Sequence, residues 1–241
     1  MSRLYQGDSG NFAGAGAIQG VVHKFGENRA VGSGAEETIW AGAASDYHWI
    51  STAGTAVVAS AATTADSGVI VTLEGLDAAG LFQSDTVTLD SNGTVTTSTV
   101  WLRTHRMYTA ATSAAAATGI VTCTVDSGIS AHYTVAAQQT QQLAYTIPAN
   151  RVGYLVDVDL EVGKADEARA TIRTRDTGSV VWRARDNFHL YEDTISRFHA
   201  LVGDPTTGIK LPALCDVEMR AQAVTGSASV AGFFHVVLYA A

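Results

Sequence analysis

The chain has 241 residues and a formal charge of −8, with 46% hydrophobic and 16% charged side chains. That size and apolar content allow one large core or two smaller ones. The acidic balance argues against a nucleic-acid partner, whose phosphates need neutralising Lys and Arg, and no apolar run approaches the ~18 residues that would span a membrane as a helix.

The chain is rich in Ala, Thr, Val and Ser, and holds 23 Gly against 3 Pro. Thr and Val favour strands because branching at Cβ suits a pleated surface. Gly supplies tight turns. No segment has a convincing 3.6-residue period, so the composition predicts an all-β fold of many short strands.

Residues 1–37 read as an extended arm. The stretch from Gly10 to Gly20 has little to bury, Val21–Gly26 suits one added strand, and Gly32-Ser-Gly34 suits a hinge. Two readings stand: a disordered terminus, or an arm that orders on a neighbouring subunit. Gly7-Asp-Ser-Gly10 copies the nucleophile loop of chymotrypsin-like serine proteases. That loop works only inside a double barrel that supplies a His and an Asp. Ahead of every strand signal it is expected to be inert. The opening Met1-Ser-Arg-Leu-Tyr5 lacks the apolar core of a signal peptide, so synthesis in a cytoplasm is expected.

An N-terminal β-rich region is expected over 38–137. It opens on an aromatic group, Trp40, Tyr47 and Trp49, which suits either core packing or a contact surface. Strands are predicted at Thr55–Ala61, Val69–Gly75, Ser84–Asp90, Thr99–Tyr108, Gly119–Val125 and Ile129–Val135. Asn92-Gly93 marks a hairpin turn. Ala111–Thr118 reads as a loop or one helical turn.

The polar run Gln138–Gln142 separates this region from a second, 138–241, although the two also suit a single domain. About eight strand-like segments follow, beginning near Gln141, Arg151, Glu167, Ser179, Phe188, Thr207, Leu214 and Ala228. They predict a jelly-roll-like β-sandwich. Asp157, Asp159 and Glu161 alternate with apolar residues, as do Arg169, Arg173 and Arg175. A hairpin centred on Ala165 would set Asp157 against Arg173 and Glu161 against Arg169, a charge ladder that penalises register slips. Arg183 and Arg185 extend the basic set. The arginines read either as a solvated ladder or as a docking face for an acidic partner.

The seven histidines are scattered without metalloprotease spacing, no phosphate-binding glycine loop is present, and the period of the Asp157 run fits a strand face better than a calcium loop. No catalytic residue, cofactor or metal ligand is therefore assigned, and the chain reads as a non-enzyme. Cys123 and Cys215 sit in apolar strand-like runs and are expected to be buried free thiols.

Two stretches resemble a family of tailed-phage virion structural proteins. The first is Val22-His-Lys-Phe-Gly26 with Glu37-Thr-Ile-Trp-Ala-Gly42 and Tyr47–Trp49. The second runs from Val71 to Gly80, through Ser84–Leu89 and Val95–Ser98, to Trp101-Leu-Arg103. Tyr145–Ala149 and the closing Phe233–Leu238 extend the likeness over most of the chain. The resemblance implies a capsid decoration or cement protein on the virion surface, made in the host cytoplasm. It implies the major capsid protein as partner and a homotrimer as the assembled state. The alternative is a tail, neck or capsid-surface appendage that binds a host receptor or glycan. Candidate capsid-contact residues are Val22, His23, Lys24, Phe25, Trp40, Tyr47, Trp49, Arg173, Arg175, Arg183 and Arg185.

Overall fold

A computed structural model describes residues 18–42, 46–163, 166–192, 195–199 and 207–241. Every element among them is a strand: β1 (Ile18–Gly32), β2 (Glu37–Thr38), β3 (Gly54–Ser60), β4 (Ile70–Asp77), β5 (Phe82–Thr88), β6 (Thr94–Thr109), β7 (Val121–Val125), β8 (Gly128–Tyr133), β9 (Ala144–Thr146), β10 (Arg151–Val162), β11 (Glu167–Asp176), β12 (Arg183–Tyr191), β13 (Ile195–His199), β14 (Ile209–Leu211), β15 (Cys215–Ala223) and β16 (Ser227–Ala240). The protein is all-β, as its composition predicts. It divides into two compact units, one built from the chain up to Trp40 together with Gln142–Ala241, the other from Ala41–Gln141.

The first unit is an antiparallel β-sandwich. One sheet has the order β1-β16-β10-β13, with β14 also on β10; the other has the order β12-β11-β15-β2, with β9 also on β15. Alternation sends one side of each strand inward. Val22 from β1, Val158 from β10, Phe234 from β16, Ile172 from β11 and Met219 from β15 meet in one buried cluster.

This arrangement corrects two sequence expectations. The described part of the supposed arm is the edge strand β1, paired with β16 from Ile18↔Tyr239 to Gly32↔Ser227. Val22 and Val31 supply the apolar face that lets it join the core. The β10–β11 hairpin does not form. After Val162 the chain leaves one sheet and enters the other at Glu167, so the acidic face of β10 lies along β16 and β13, while β11 lies between β12 and β15. Complementary charges on consecutive strands do not make them partners here, and each finds its countercharges on a strand distant in sequence.

The second unit is one sheet of six strands in the order β5-β4-β6-β3-β7-β8. The long β6 pairs with β3 through its first half and with β4 through its second. The sheet curls, so that Thr104 Oγ1 of β6 donates to Ser130 O of β8 at 2.7 Å. Trp101, Leu73, Val58, Cys123 and Tyr133 fill its core. At the β4–β6 bulge Gly75 passes against β6, and a Cβ there would stand 2.1 Å from Arg103 O.

Candidate functional site

The eleven candidate contact residues fall into three groups. Val22, Lys24, Trp40 and Tyr47 are buried within the chain. Trp40 belongs to the sandwich, where it bridges Gln142, whereas Tyr47 and Trp49 belong to the second unit. The aromatic group of the sequence is therefore divided. Tyr47 packs edge-on to Trp49 at 4.8 Å and donates its hydroxyl to Thr104 O at 3.0 Å. The buried Arg103 lies 5.4 Å from the Trp49 ring centre and donates to Ile50 O at 2.7 Å.

Arg173 and Arg175 form the second group. Register sets Arg173 opposite Glu218 and Arg175 opposite Asp216. Their ion pairs measure 2.7 and 3.0 Å, and both carboxylate side chains are fully buried. Thr38 Oγ1 donates to Glu218, Arg220 approaches it at 3.6 Å, and Thr146 Oγ1 donates to Asp216 at 2.6 Å. The indole of Trp182 lies 4.3 and 4.4 Å from the two guanidinium carbons. A charge ladder of the predicted kind does exist, but it runs between β11 and β15. It stabilises the sheet from within, so these guanidiniums are committed to internal carboxylates.

Arg183, Arg185, His23, Phe25 and Trp49 form the third group and retain exposed or half-exposed side chains. Arg185 donates to Thr174 Oγ1 at 2.7 Å across a β-bulge in the β11–β12 pair. Immediately before β12, Val180 is 89% exposed and Val181 58% exposed. Two exposed valines thus lie close in sequence to Arg183.

His23 opens a polar row that sequence reasoning missed. Register aligns His23, His235, Asp157 and His199 across β1, β16, β10 and β13. His23 Nδ1 lies 2.8 Å from His235 Nε2, His235 Nδ1 2.9 Å from Asp157 Oδ2, and His199 Nδ1 2.6 Å from Asp157 Oδ1. Burial, then the neighbouring His235, pushes the His23 imidazole down to about 4. In the next row Phe25, Phe233, Asp159 and Arg197 align. The alternation of Asp157 and Asp159 was visible in the sequence; their histidine neighbours come from strands whose pairing no local pattern encodes.

Both cysteines are buried and free, as expected. Burial pushes the Cys123 and Cys215 thiols up to about 12, which leaves neither as a thiolate nucleophile near neutral pH. Gly7-Asp-Ser-Gly10 lies outside the described residues.

No family model matches the chain, and no curated protein matches it. Among solved structures it is similar, at 10% identity, to a chain of the T13 IBDV viral particle, covering 93% of this chain and 63% of that one with a TM-score of 0.27. It is also similar, at 10% identity, to a chain of the infectious bursal disease virus VP2 subviral particle, covering 97% of this chain and 75% of that one with a TM-score of 0.26. At these scores the likeness establishes neither a shared family nor a shared function.

Proposed function

We propose that the protein is a non-enzymatic virion structural protein that decorates or cements a tailed-phage head by binding the major capsid protein lattice. The observation behind this reading is where the phage-like segments lie. Val22, Leu73, Leu76, Trp101, Tyr145 and Phe234 all come from those segments, and all are buried framework positions. The resemblance thus includes residues that build the cores of both units.

The contact face is Val180–Arg185, with Arg183 and Arg185 beside the two exposed valines. Apolar area supplies affinity there, and the arginines offer planar pairing to capsid carboxylates. Assembly as a symmetric homo-oligomer, a trimer on local threefold axes, multiplies a modest affinity per subunit.

Co-sedimentation of purified protein with phage heads lacking it tests the reading. The wild type should pellet with heads, and Val180→Asp/Arg183→Glu should fold normally yet stay in the supernatant. Equal pelleting of the two would remove this face from the account. No affinity of the wild type for heads would reject the function.

A further inference from the structure

The outer face of the first sandwich sheet holds a cluster that the decoration role does not require. Period-two alternation turns Asp157 and Asp159 to the same side of β10. β13 then sets His199 opposite Asp157 and Arg197 opposite Asp159. One donor atom from each of Asp157, Asp159 and His199 lies within 4.8 Å of the other two.

The carboxylates are incompletely satisfied. Asp157 Oδ1 and Asp159 Oδ1 are sealed from solvent and accept no hydrogen bond. His199 Nδ1 lies 2.6 Å from the first and the Arg197 guanidinium Nε 2.9 Å from the second, both outside hydrogen-bond geometry. Two carboxylates held close to an imidazole, each with one oxygen shielded from water, favour a cation among them, and the Arg197 guanidinium takes that place beside Asp159.

The outer partners fit the same reading. A carboxylate only accepts, so His235 donates its Nδ1–H to Asp157 Oδ2 and presents Nε2 as the acceptor for His23 Nδ1–H. This chain fixes the Asp157 side chain from behind and leaves Oδ1 directed toward His199. Ligating groups in metal sites are oriented by hydrogen bonds of this kind.

We propose that Asp157, Asp159 and His199 bind one first-row divalent metal ion, with zinc the best match to a mixed carboxylate and imidazole set. Such ligands hold zinc at about 2.0–2.2 Å, so the three donors would close in around the ion on binding. His235 is a positioning residue and Arg197 a competitor for Asp159. The ion would fasten β13, which among the described residues pairs only with β10, onto the sheet. This inference is independent of the capsid reading.

The test is calorimetric titration of Zn2+ into the chelator-stripped full chain near neutral pH. The expected result is one zinc per chain and a higher Tm when loaded. His199→Ala and Asp159→Asn should each weaken binding at least tenfold. Arg197→Gln should strengthen it, because a competing charge leaves Asp159. His189→Ala, on the other sheet, should change nothing. No saturable binding by the wild type below ~1 mM would overturn the proposal, as would equal affinity of wild type, His199→Ala and Asp159→Asn. Should those variants fail to fold, zinc X-ray absorption of the wild type decides: one imidazole among oxygen ligands supports the site, and several imidazoles overturn it.

Discussion

Single buried polar residues hold both units, and they differ in how visible the sequence makes them. Asp66 is fully buried, and its carboxylate accepts from Ser60 Oγ at 2.5 Å, Thr118 N and Oγ1 each at 2.7 Å, and Gly119 N at 3.0 Å. Burial by itself would raise its pKa, but these donors together outweigh it and hold the carboxyl below its usual value. A depressed folded pKa contributes stability above the unfolded value near ~3.9, and that stability is lost as pH falls through the folded value. Asp66→Ala should therefore cost about 3 kcal/mol near neutral pH, measured by urea unfolding, and the gap to wild type should shrink on acidification below pH ~4. Glu218→Ala should cost about 3–5 kcal/mol by the same measurement, because Arg173 would lose its buried countercharge. Neither carboxylate could be singled out in the sequence, since an Asp in a turn and a Glu in a strand look alike whether solvated or buried. The two cysteines were legible because each lies in an apolar run; with thiols at about 12, both should resist alkylation until the protein unfolds.

At the scale of elements, alternation showed most strands but not their neighbours. β3, β4, β5, β7 and β8 lie within a few residues of the predicted bounds; the strand expected from near Ser179 begins at Arg183 as β12, Phe188 lies inside it rather than opening a strand of its own, and no signal marks β13. Alternation specifies which face of a strand is buried. It carries no information on which strand lies alongside, so complementary charge on β10 and β11 points to a pairing that the sheets do not make. β1 and β16 face each other from opposite ends of the chain. Removing residues 1–32 should therefore strip Val22 and Val31 from the core and expose the edge of β16, unfolding the sandwich unit. Circular dichroism and limited proteolysis read this out; an intact sandwich after the deletion would restore the arm reading. Gly75→Ala should cost roughly 3 kcal/mol, since the backbone carbonyl of Arg103 cannot yield to the added methyl without breaking the β4–β6 ladder.

At the scale of the whole molecule, the second unit is an insertion into the sandwich. Trp40 and Gln142, the residues that bracket it, bridge each other, and Leu143 N donates to Ile39 O at 2.9 Å. Joining Trp40 to Gln142 through a short Gly/Ser linker should leave a folded sandwich with cooperative thermal unfolding. The second unit ends at Gln141, inside the polar run Gln138–Gln142, and begins at Ala41, three residues after the expected start at 38; what no local pattern shows is that the strands before it belong with those after it. The excised sandwich retains Val180–Arg185, so it should still bind heads if that face is the contact. The central claim, that function means binding to a phage head, is tested most directly by electron microscopy of heads lacking the protein, imaged before and after its addition. The account predicts new density over the capsid faces, centred on local threefold axes. Density confined to the tail or neck, or none at all, would contradict it.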